Sequence, residues 1–97
     1  MVLLMTDIMF VRPLAMSARL MKRAAPDMPI FLYRFAFDGA LGLFKRLLGI
    51  NRPGTCHGDE MGYLFKFGGL NIRLDEKSPE VFVKTIMVKM WTNFAKF

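Results

Sequence analysis

With 97 residues and 11.2 kDa, the chain has room for one small domain that buries roughly 60% of its unfolded surface. Its 54% apolar composition excludes a disordered tail, and its single cysteine excludes an internal disulfide framework. Asp7, Arg12, Arg19 and Asp27 interrupt the N-terminal half before any apolar run reaches the roughly 18 residues of a membrane span.

Fourteen Lys and Arg against eight Asp and Glu leave a net charge of +6. The basic residues are scattered, and the densest groups, Lys22-Arg23 and Lys45-Arg46, are only pairs. No aromatic-basic RNA motif, zinc-finger spacing or helix-turn-helix pattern accompanies them, so no nucleic-acid partner is expected. The opening MVLLMTDIMF lacks a basic leader and meets Asp7 at once, which is unlike a secretory signal.

In chain order, Thr6 to about Arg23 has a helical pattern. Ile8, Met9, Leu14, Met16, Leu20 and Met21 alternate with Arg12, Ser17, Arg19, Lys22 and Arg23. Thr6 reads as its cap and Asp7 suits the positive end of the dipole. Pro13 has no amide proton, so it either opens a second piece or kinks this one. Pro26 and Pro29 frame the following loop.

Ile30 to Phe37 is short, aromatic-rich and stopped by Asp38-Gly39, which reads as a strand. Its two faces are apolar apart from Arg34, as in a strand buried inside a mostly parallel sheet. Leu70 to Leu74 is a poor second candidate. A lone central strand has no partner for its main-chain groups, so the segment reads as a piece of a larger α/β domain.

Residues 39–56 are loop-like, with Leu41, Phe44, Leu47 and Leu48 forming a short amphipathic turn or two. A helix is expected to start at Asp59-Glu60, with Met61, Leu64 and Phe65 on one face. The final helix has the clearest signals. Ser78 caps it, Pro79 takes the first position and Glu80 complements the dipole. Val83, Met87, Met90, Trp91 and Phe94 form its apolar stripe.

His57 is the sole histidine, so any imidazole chemistry must use it. It sits in the Gly-flanked stretch Gly54-Thr55-Cys56-His57-Gly58, the kind of loop on which α/β folds concentrate function. Cys56, Asp59 and Glu60 lie too close to it for zinc-ligand spacing, and no metal or cofactor is expected. Adjacent Cys56 and His57 point apart in an extended loop, which disfavours a nucleophile–base pair. Neither Ser17 nor Ser78 has the glycines of a nucleophile elbow. The residues therefore offer one candidate base and no nucleophile.

Four blocks, in order and spacing, resemble the C-terminal end of the carboxylesterase and cholinesterase (type-B carboxylesterase) family. Pro29-Ile30-Phe31-Leu32-Tyr33-Arg34-Phe35 is similar to the family's late core strand. Thr55-Cys56-His57-Gly58-Asp59-Glu60-Met61-Gly62-Tyr63-Leu64-Phe65 resembles its His-Gly-x-Glu block, and Met90-Trp91-Thr92-Asn93-Phe94-Ala95-Lys96 its Trp-x-x-Phe-Ala segment. Thr6-Asp7 with Phe10 and Pro13 fits the helix before that strand. In detail the blocks are closest to insect-type detoxification esterases.

The resemblance implies an α/β class, namely the C-terminal portion of an α/β-hydrolase with helix, core strand, catalytic-histidine loop and helices. Residues 1–97 would be part of a single domain, incomplete at both ends. It implies that His57 is the general base of a Ser–Glu–His triad acting on small-molecule carboxylic esters, with Glu60 as a supporting hydrogen-bonding group. By itself the piece lacks the serine and is expected to be inactive. A second reading rests on the +6 charge and two amphipathic helices: a short inactive product acting as a basic amphipathic binding or membrane-surface module.

Overall fold

The computed structural model describes residues 2–68 and 72–96 and divides into two units, Met1–Tyr33 and Arg34–Phe97. In the first unit, α1 (Val2–Thr6), a π-helical turn (Asp7–Val11) and α2 (Arg12–Ala24) run on without a break. Thr6, expected as a cap, lies inside this helix with helical dihedrals and makes no capping bond, because the helix already starts at Val2.

The π turn accounts for Pro13. A proline has no amide to give to the carbonyl four residues back, and its ring crowds that carbonyl. Widening the preceding turn relieves the crowding without ending the helix, and the Arg12 amide bonds Asp7 O, five residues back. Proline disfavours helical dihedrals in the residue before it, so Pro26 stops α2: Ala25 sits at φ −138°, ψ 80°. The Lys22 ammonium then donates to Met28 O at 3.2 Å.

The second unit contains α3 (Leu43–Leu47), α4 (Met61–Leu64) and α5 (Pro79–Lys96). Ser78 caps α5 as expected: its Oγ accepts the Val81 amide at 3.4 Å, and Pro79 is the first helical residue. Glu80 does more than complement the dipole, since its Oε1 accepts the Ala40 amide at 3.2 Å and ties the segment before α3 to α5.

Leu41, Tyr63 and Met87 form the core, with Phe35, Phe37, Leu64, Ile72, Leu74 and Val83 packed against them. Tyr63 is fully buried and is approached by Phe35 (centroids 5.3 Å apart) and edge-on by Phe37 (5.7 Å). Such aromatic pairs contribute about 0.5–1.5 kcal/mol each beyond their buried area. Only the first half of the α5 stripe is covered. Val83 and Met87 join this core, whereas Trp91 and Phe94 are 48% and 68% exposed.

The expected strand is the main correction. Among the described residues there is no β-strand, and Ile30 to Phe37 is irregular. A strand exists through its ladder, and this segment has no second strand to pair with. Only its end is partly covered: Phe35 and Phe37 are half-buried, while Phe31, Leu32, Tyr33, Arg34 and Ala36 are exposed. Of the second candidate, Leu70 and Asn71 lie outside the described residues, and Ile72 to Leu74 are irregular. The expected α/β class is therefore not seen among the described residues, which form helices and irregular segments. Among the described residues, no helix is long and apolar enough to cross a membrane.

Burial pushes the Tyr63 hydroxyl up to about 12; the nearby Leu41 main chain opposes this without reaching hydrogen-bond geometry. The unfolded chain therefore loses this proton first, near pH 10, and the folded chain near pH 12. Stability from the neutral hydroxyl is fully present below pH 10 and is lost as pH rises from 10 to 12. Comparing urea midpoints of wild type and Tyr63→Phe across pH 9–12 should show the wild type losing about 2 kcal/mol relative to the variant. At pH 7 the two should agree within about 1 kcal/mol, since the hydroxyl removed makes no bond.

Candidate active site

His57 opens a tight turn, residues 57–60, that leads into α4, and it is exposed to solvent. Two glycines with positive φ bracket it, Gly54 at 106° and Gly58 at 84°. A side chain pays for such backbone in steric strain. At Gly58 space is short as well, because a Cβ would run into the Phe44 ring.

The turn is held by a buried carboxylate. Asp59 is 1% exposed, and its two oxygens are both used: Oδ2 accepts the Cys56 amide at 2.7 Å and Oδ1 the Lys45 amide at 3.0 Å. In return the Asp59 amide donates to Cys56 O at 3.1 Å. The first bond fixes the residue before His57, and the second caps the open N-terminal end of α3. Amide donors of this kind offset the loss of hydration of a buried charge. Gly42, beside the start of α3, has no side chain to obstruct the carboxylate, which a Cβ would meet at 3.3 Å.

A second set of bonds lies three residues before His57. The Lys45 ammonium contacts Asp38 Oδ1 at 2.7 Å and Gly54 O at 2.8 Å, and the Gly54 amide donates to Asp38 Oδ2 at 2.8 Å. The hydrogen bond from Lys45, then that from Gly54, hold the Asp38 carboxyl below its ordinary range.

Glu60, the other candidate, is half-buried at the start of α4, where its carbonyl accepts the Tyr63 amide at 3.0 Å. The helix begins after the acidic pair, so Asp59 and Glu60 are not in its first turn, and Gly62 and Tyr63 form its buried side. Phe65, expected on the buried face, is 59% exposed. Ser78 is spent as the α5 cap, and Ser17 lies on α2 in the other unit. Within the second unit the described residues thus assemble a braced, exposed histidine, and its one serine, Ser78, is taken by the α5 cap.

Asp59, Asp38 and Lys45 do not emerge from the sequence as parts of the site. Asp59 had a local signal, since an acid three residues after Cys56 is the acidic half of a capping box. The Asp38–Lys45–Gly54 set had none, because its members meet only through the fold.

Replacing Asp59 by alanine would leave two main-chain amides without their acceptor. A loss of about 2–4 kcal/mol is expected, read from the urea midpoint. Asp59→Asn should cost less, because its amide oxygen can still accept one of the two bonds.

The model of the "Carboxylesterase family" matches residues 1–97. The chain is 33% identical over 70 residues to a juvenile hormone esterase of Heliothis virescens, covering 70% of this chain and 12% of that protein. It is 32% identical over 72 residues to a juvenile hormone esterase of Tribolium castaneum, covering 69% of this chain and 12% of that one. No solved structure gives a significant match. With its whole length matched by the family model, and its aligned part shared with two insect esterases, the chain belongs to the carboxylesterase family.

Proposed function

We propose that this chain contributes the general base to a carboxylic ester hydrolase. His57 accepts the proton of a serine hydroxyl as it attacks the ester carbonyl, then returns it to the departing alcohol. Water repeats the sequence to free the acid. The serine and the acid that complete the Ser–Glu–His triad come from outside these 97 residues. Glu60, three positions beyond, supports the turn as a hydrogen-bonding group. The segment 30–37 takes the place of a core strand once a sheet is present to pair with it.

The observation that carries this reading is a lone histidine, exposed on a glycine-bracketed turn that a buried carboxylate pins, in a chain of the carboxylesterase family. Small-molecule carboxylic esters are the substrate class, and the names of the two insect relatives agree with it.

The test is the mass and reactivity of the native product that carries this segment, captured with an antibody to residues 75–97. A product several-fold larger than 11.2 kDa that takes a serine-hydrolase phosphonate probe is expected. A product of 11.2 kDa that ignores the probe would sink the reading. It would favour instead the basic amphipathic module, for which α2 supplies Arg12, Arg19, Lys22 and Arg23 beside exposed Leu14, Leu20 and Met21.

A further inference from the structure

We propose that Lys45 and Asp38 are positioning residues that hold the His57 turn in place through Gly54, an inference that rests on His57 acting as the base. Thirteen residues, 48–60, separate α3 from α4, and a connection of that length samples many conformations unless it is tied. A general base has to be held to a fraction of an ångström to be effective.

The bonds meet that need at two nearby points. Gly54 is gripped through both of its main-chain groups, its amide by Asp38 and its carbonyl by Lys45, while Lys45 and Asp38 bond each other. Two residues on, the Cys56 amide is held by Asp59. Lys45 belongs to both ties, since its own amide donates to the other Asp59 oxygen. Only Thr55 lies between the tied residues, and His57 follows directly.

An exposed ion pair by itself adds little to global stability. Here the Lys45 and Asp38 side chains are 15% and 39% exposed, and the pair encloses a third partner with positive φ. Its effect should therefore appear in the placement of the turn more than in unfolding.

The test has two arms. Amide hydrogen exchange on the native product should show Gly54 protected, and Lys45→Met or Asp38→Ala should speed its exchange at least tenfold. Unprotected Gly54 in the wild type overturns the clamp, whatever His57 does. In the native product, Lys45→Met should lower kcat for a p-nitrophenyl ester tenfold or more with KM within twofold, and Lys45→Arg should restore most of the loss. The same Lys45→Met change in a His57→Ala background should have no further effect, because it acts only through that histidine. An undiminished effect there would show general disruption and overturn the proposal. If His57→Ala itself keeps full turnover, the base assignment fails and the proposal fails with it. Protected Gly54 would then mark a structural tie only. Should Lys45→Met fail to fold, Asp38→Ala gives both readouts.

Discussion

Changing His57 to alanine in the native product is expected to reduce ester turnover by several powers of ten, on the order of 10³ to 10⁶. On the proposed role, removing the imidazole leaves the serine proton without an acceptor at the moment of attack and the departing alkoxide without a donor. The loss should fall on kcat, with KM little changed, because the histidine stabilises the reacting proton more than it binds the ester. Global stability should move far less than turnover, because the side chain is exposed and the main-chain bonds at Gly54 and Cys56 are made to Asp38 and Asp59. Turnover and urea unfolding measured on the same two proteins check both halves. Wild-type kcat in His57→Ala would end the base assignment.

What could be read from the sequence depended on how local its cause was. Ser78-Pro79-Glu80 specifies a helix start within three residues, and α5 begins there. Pro13 announced a disturbance in the first helix, and its form, a wide turn that lets the helix continue, is one of the ways a chain absorbs a missing amide. Ile30 to Phe37 fared differently because a strand is a relation between two segments, and here only its last aromatics, Phe35 and Phe37, find a partner, in Tyr63. The stripe of α5 was legible as a pattern, but which half is covered depends on where Leu41 and Tyr63 lie.

The site divides in the same way. His57 and its glycines stand out by type and spacing, whereas the groups that hold them come from positions 38, 45 and 59. Asp38 looked like a turn residue and Lys45 like half of a basic pair. Their meeting at Gly54 spans 16 residues of chain and is made by the fold.

The second large effect is expected at a residue with no side chain. Gly62 lies in the middle of α4, where its own backbone conformation would accept alanine. Within an isolated helix that exchange would add roughly 1 kcal/mol of stability. Here the sign should reverse, because a Cβ at Gly62 would land on the carbonyl oxygen of Leu41. The obstacle is main chain, so no rotamer change can relieve it. Leu41 itself is 8% exposed and belongs to the core with Tyr63 and Met87. Making room requires moving α4 away from that loop, which would uncover Tyr63 and pull on the neighbouring Asp59 bonds. A loss of about 2–4 kcal/mol is expected for Gly62→Ala, in the range of overpacked cores. The urea midpoint should fall accordingly. Gly68→Ala is the control, since a Cβ there meets nothing within 4 Å, and that variant should keep its midpoint. If Gly62→Ala instead raised the midpoint, helix propensity would have won, and α4 would not pack against Leu41 as closely as described.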